Sequence, residues 1–125
     1  MTALTPEEIA QLRAHLANHP QAIEALQEIE DCDGDIEDAA ISLALRSGQT
    51  PETHEQWLAD FSKRYRHIAC QPQFRESLAA GHVSTFIAHL TQKTDCPALV
   101  ATPIAIYISK VGVSSFCHTF DTSRR

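Results

Sequence analysis

The chain has 125 residues, of which 43% are apolar and 21% charged, and a formal net charge of −6. That length holds one ordinary domain or two very small ones, and the balance excludes both a disordered chain and a membrane-like one. Helix formers such as alanine, leucine, glutamate and arginine are plentiful and glycine occurs four times. No alternating run of valine, threonine and aromatics reads as a strand, so an all-α fold is expected.

The first helix starts at Thr5-Pro6-Glu7-Glu8, which supplies an N-cap, a proline at the first helical position and the glutamate of a capping box. Ile9, Leu12 and Leu16 make its apolar stripe, and Pro20 ends it near Asn18 or His19. A second helix, about Gln21 to Asp31, turns Ile23, Leu26 and Ile29 inward. Asp33-Gly34-Asp35 breaks the chain, with Gly34 free to take positive φ and Asp35 placed to cap. The third helix runs from Ile36 to about Arg46 and stops at Gly48.

Gln49-Thr50-Pro51-Glu52 reads as a linker and a new start, so the boundary between two parts is placed there. A fourth helix over about 52–69 carries Trp57, Leu58, Phe61, Tyr65 and Ile68 on one side. Shorter helices follow over about 72–80 and 83–92. The segment Ala98–Lys110 is apolar on nearly all sides and is expected to be the centre of the second part, with Pro103 as a point of bending. One further turn is expected at 113–117, and the tail 121–125 is expected to fray.

Residues 5–48 carry a more specific pattern than a generic three-helix bundle. A short second helix containing Glu24-Ala25-Leu26 leads into Gly34-Asp35-Ile36-Glu37, then Ala39, Ala40 and Leu43, and closes on Arg46-Ser47-Gly48. This resembles the ubiquitin-associated fold, in the version found at the start of elongation factor Ts and in the nascent-polypeptide-associated complex. The resemblance implies a three-helix protein-binding module. The loop Asn18-His19-Pro20 lacks the methionine and Gly-Phe or Gly-Tyr tip of the family's ubiquitin binders, so ubiquitin is not the expected partner. Residues 49–125 do not resemble the exchange region of elongation factor Ts, so nucleotide exchange is not inferred. The expected architecture is therefore this module at 5–48 packed against a compact four-helix bundle at 51–121.

On the third helix Ile36, Ala40 and Leu43 face inward, while Ile41, Ala44 and Leu45 lie on other faces. Leaving Ile41 and Leu45 in water would forgo about 1.5–3 kcal/mol of burial each. That second face is expected to be covered by residues 51–125 or by a partner.

The charge is uneven. Residues 1–50 hold ten acids against two bases, and the remainder holds six acids against eight bases. An acidic first part repels phosphate, so nucleic acid is expected, if anywhere, at the basic cluster Lys63, Arg64 and Arg66 of the fourth helix. Asp31-x-Asp33-x-Asp35 begins like a calcium loop, but its sixth and twelfth positions are Ile36 and Ser42, so it reads as an acidic, capping turn. His15 and His19 lie four apart without an evident third ligand. Cys32, Cys70, Cys96 and Cys117 form no close pair, and with no export signal at Met1-Thr2-Ala3-Leu4 they are read as reduced, mostly buried thiols. Cys117-His118 are adjacent on a helix and do not face one another.

These readings converge on a cytoplasmic protein with no catalytic centre, no metal and no cofactor, and with a protein partner of unknown identity. Its candidate contact residues are Asn18, His19, Ile41 and Leu45, the acids Asp31 and Asp33, and the cluster Lys63, Arg64 and Arg66. A ribosome- or nucleic-acid-associated regulator is the second reading, and a small enzyme of unrecognised type the third.

Overall fold

The computed structural model describes residues 2–51 and 56–123. The fold is all-α. Helices α1 (Pro6–His15), α2 (Pro20–Asp31) and α3 (Ile36–Arg46) are followed by α4 (Trp57–Ser62), a 3-10 turn (Lys63–Tyr65) and α5 (Arg66–Ala69). Then come α6 (Pro72–Ala79), α7 (Ser84–Lys93), α8 (Ala98–Val111) and α9 (Val113–Ser123).

The starts of α1 and α3 form for the reasons written in the sequence. At α1, the Thr5 hydroxyl accepts the Glu8 amide at 3.1 Å, and the Glu8 carboxylate accepts the Thr5 amide at 2.9 Å. At α3, one Asp35 carboxylate oxygen accepts the amides of Glu37 and Asp38 at 3.1 and 3.2 Å. Both caps satisfy donors that a helix start leaves without partners.

The turn between α2 and α3 does more than reverse the chain. The Leu4 amide donates to the Gly34 carbonyl at 2.9 Å and the Ile36 amide to the Thr2 carbonyl at 3.2 Å. Residues 2–4 are thereby strapped across the turn. Gly34 has φ +87°, and a Cβ built there would sit 2.2 Å from the Leu4 carbonyl oxygen. Gly34→Ala must therefore break the strap as well as strain the turn. It is expected to cost about 2–3 kcal/mol, the left-handed penalty plus the lost contact. Chemical denaturation measures the loss, and the amide resonance of Leu4 should lose its protection from exchange.

Helix α8 is the centre of the molecule. Val100 to Ile106 and Ile108 are all buried. The helix packs on α2 and α3 as well as on α4, α6, α7 and α9. One apolar cluster thus runs from Leu4 and Leu26 through Leu43 and Ile104 to Phe116. Each aliphatic side chain so buried contributes about 1.5–3 kcal/mol. Helix α8 continues through Pro103, whose missing N–H withholds the usual bond from the Leu99 carbonyl. Among the described residues no single helix is long and apolar enough to cross a membrane.

Three expectations need correction. The fourth helix is not continuous: residues 52–55 lie outside the described residues, and a 3-10 turn at Lys63–Tyr65 separates α4 from α5. The tighter turn lets Tyr65 bury its ring while its hydroxyl donates to Asp95 at 3.2 Å. The chain after Gly112 is a full helix, α9, set at 89° to α8, rather than one turn and a frayed tail. Residues 124 and 125 of that tail lie outside the described residues.

The third correction concerns the thiols. Cys70 and Cys117 are joined as a disulfide, and only Cys32 and Cys96 are free. Spacing along the chain hid this pair, because 47 residues separate its members. The fold brings the end of α5 against α9, with both cysteines buried. The thiols were read as reduced because no export signal was seen, and for this pair that reading fails.

Candidate functional site

The second face of α3 is only partly covered. Ala44 is buried, Ile41 is half-buried, and Leu45 remains 59% exposed. Neighbouring Arg46 is anchored on α2: it donates to Glu24 at 3.3 Å and to Glu28. These bonds fix the C-terminal end of α3 as one wall of a groove.

Two depressions, of about 190 and 580 Å³, share Gln21 and Ala98 and together form that groove. The narrower end is bounded by Asn18, His19 and Pro20, the start of α2, and Ile87, Ala88 and Thr91 of α7. The wider end lies between Glu24, Arg46, Ser47, Gln49 and the entry to α8 at Asp95, Pro97 and Leu99. Its lining mixes the small apolar residues Ala22, Ala88 and Ala98 with the amides of Gln21 and Gln49 and the carboxylates of Glu24 and Asp95. The Asn18 and His19 loop and the end of α3, far apart in sequence, thus lie at opposite ends of one groove.

The remaining candidate residues lie elsewhere. Asp31 accepts the Gln27 amide at 3.0 Å, and Asp33 is exposed in the left-handed region at φ 57°. Asp31 ends α2, and Asp33 lies in the turn strapped by residues 2–4. Lys63 is exposed and 3.5 Å from Asp60, and the Arg64 guanidinium lies 4.7 Å from the centre of the Phe61 ring. Arg66 does not join them at the surface. Its Nε donates to the Phe116 carbonyl at 3.0 Å and its guanidinium covers the Phe116 ring, so it holds α9 in place.

Among the described residues, no group of three or more His, Cys, Asp or Glu side chains is placed to hold a metal ion. His19 lines the groove, while His15 turns to the other side of α1, where its ring centre is 5.9 Å from that of His82. There a slot of about 130 Å³ lies between α1 and α8, floored by Leu12, Val83 and Ile106 and rimmed by Glu8, His15 and Lys110.

Comparison with known protein families, with curated protein sequences and with solved structures finds no match to this chain. Its function must be argued from the geometry above.

At the slot, the Lys110 ammonium donates to Glu8 at 2.7 Å. This bond, then the Thr5 amide, holds the Glu8 carboxyl below the usual carboxylate range. A lowered folded pKa gives stability that is present above the ordinary carboxylate value and is lost as pH falls through the folded one. The pair is partly exposed, so its share is about 0.5 kcal/mol. Lys110→Met should raise the Glu8 pKa toward the ordinary value, which an NMR titration of its side chain reads directly.

Of the residues that line the groove, the sequence singled out Asn18 and His19 but not Gln21, Glu24, Gln49, Asp95 and Ala98; Leu45 stands apart as an exposed residue of α3. Their signal lay in tertiary packing: α8 brings Asp95 and Ala98 beside α2 only once the two parts share a core.

Proposed function

We propose that the chain is a non-catalytic protein-interaction module, an adaptor or assembly factor, that meets its partner at the end of α3 and the adjoining groove. The observation that carries this reading is Leu45, which stays 59% exposed while Leu43, two residues earlier on the same helix, is fully buried. A single exposed leucine is ordinary. The next residue, Arg46, lines the groove and bonds to Glu24 and Glu28 of α2.

The cysteine chemistry supports the absence of catalysis in this reading. Burial pushes the Cys96 thiol up to about 12. Burial, followed by the bond to Glu28, pushes the Cys32 thiol up to about 11. Both are therefore protonated and poorly nucleophilic at neutral pH. The likeness of residues 5–48 to ubiquitin-associated modules agrees with a binding role. A nucleic-acid role has less to build on, because Arg66 is committed to Phe116 and Lys63 faces Asp60.

Photo-crosslinking tests the proposal. A benzophenone amino acid at position 45 should give one discrete protein adduct in an extract of the source cells, and none at exposed Ala10. The captured protein, once purified, should bind the native chain and lose affinity for Leu45→Asp at unchanged helicity. Identical adducts from both positions, or undiminished binding by Leu45→Asp, would contradict it.

A further inference from the structure

We infer that His15 and His82 form a two-histidine site for a late first-row divalent ion, with zinc as the representative. The site lies outside the groove and goes beyond the reading of the chain as a protein-interaction module.

The geometry suits two ligands of one ion. The imidazole centroids are 5.9 Å apart and the ring planes are inclined by 39°. An ion held by two imidazoles, each at a metal–nitrogen distance of about 2.0–2.1 Å, sets their centroids roughly 5–6 Å apart. Both side chains are exposed, so each ring can turn a nitrogen toward the shared point without disturbing the core. The backbones beneath them are fixed. His15 is the last residue of α1, and Leu16 after it is fully buried. The His82 amide donates to the Ser77 carbonyl at 2.8 Å, closing the end of α6, and Val83 after it is buried. Side-chain rotation is thus all that separates the two rings from a common ion, which keeps the ordering cost of binding low.

Charge also favours a cation here. His15 stands at the C-terminal end of α1 and His82 just past that of α6, and a helix presents partial negative charge at that end. The Lys110 ammonium, which with His15 rims the adjoining slot, donates to Glu8 at 2.7 Å, so its charge is answered. Imidazole nitrogen selects zinc, copper or nickel over magnesium and calcium, which prefer oxygen. With two protein ligands, the remaining positions of the ion go to water. The pairing is not the one that spacing along α1 suggests, because His19 lines the groove instead. An ion at this point ties α1 to the connection between α6 and α7, and so the first three helices to the later ones.

The test adds zinc chloride to the full chain, its disulfide intact, near neutral pH, and follows the histidine side chains by NMR. His15 and His82 should shift together and saturate at one ion per chain below about 1 mM zinc. Magnesium at the same concentration should shift neither. His15→Ala and His82→Ala should each weaken binding by at least about tenfold, because the second imidazole otherwise acts as a ligand already held in place. His19→Ala should leave it unchanged. Zinc should also raise the thermal midpoint of the native chain, and far less that of either alanine variant at position 15 or 82, because only the folded chain brings the two rings together. Both positions are exposed, so these variants should keep the native helicity, which circular dichroism checks.

A shift of His15 with His19 rather than with His82 would overturn the inference. So would equal zinc affinity in the native chain and in the variants at positions 15 and 82, and so would the absence of any shift of the two rings over the whole titration.

Discussion

Replacing Cys70 and Cys117 together by alanine is expected to lower the unfolding free energy by about 4 kcal/mol, the entropy freed when a loop of this length is opened. The bond ties positions 47 residues apart and joins the end of α5 to α9. Other contacts of α9 include the Arg66 bond to the Phe116 carbonyl and the paired bonds, at 3.0 and 2.8 Å, from Arg75 to Asp121. The Arg75 pair is exposed to solvent and screened by it, so it holds α9 only weakly. Urea unfolding of the oxidised protein and of the double variant measures the difference. Because Cys70 is 2% and Cys117 0% exposed, a thiol reductant should act slowly on the folded chain and quickly once urea is present. Alkylation of the unfolded, unreduced chain should modify Cys32 and Cys96 alone. Four modified cysteines, or a stability change below about 1 kcal/mol, would contradict the bond and its role.

Ile104→Ala is expected to cost about 2–5 kcal/mol, the range for deleting a large aliphatic side chain from a closed core. Ile104 is fully buried in α8, the helix that packs on α2 and α3 as well as on the later helices. A 48-residue module is marginal alone, because so short a chain buries too small a fraction of its surface. With α8 against it, the exposed faces of α2 and α3 become core. The cavity left by Ile104→Ala should therefore loosen the first three helices as much as the last three. Thermal unfolding should remain a single transition at a lower midpoint. Two separated transitions, with the first three helices unaffected, would mean that the parts stand independently.

Much of this fold was legible because local chemistry dictates it. Thr5, Pro6 and Glu8 specify the start of α1, and Asp33-Gly34-Asp35 specifies the turn into α3; both formed where the spacing placed them. The all-apolar stretch at Ala98–Ile108 could only be a central helix, and it is one. What was not legible depended on long-range contact. Val113, Phe116, Cys117 and Phe120 recur at helical spacing, yet the polar residues between them hid a helix that needs α5 to be stable. The 3-10 turn at Lys63–Tyr65 answers to Asp95, thirty residues away.

The candidate site divides along the same line. Leu45 was recognisable as an apolar residue on the wrong face of an amphipathic helix. Its neighbour Ala44 was read in the same way, but it is completely buried. The groove has residues from four separate stretches of sequence, each ordinary by itself, and so left no motif. The basic cluster shows the converse: Lys63, Arg64 and Arg66 are adjacent in sequence, yet Arg66 turns inward to the Phe116 carbonyl.

Native-state hydrogen exchange, followed amide by amide, tests most directly whether one core organised by α8 holds the groove's walls together. The amides of Leu43 in α3 and of Ile104 in α8 should open with the same free energy, and Ile106→Ala should lower both equally. Opening of Leu43 at a distinctly lower free energy, indifferent to the change in α8, would mean that the first three helices fold apart from the rest and that the groove has no fixed form.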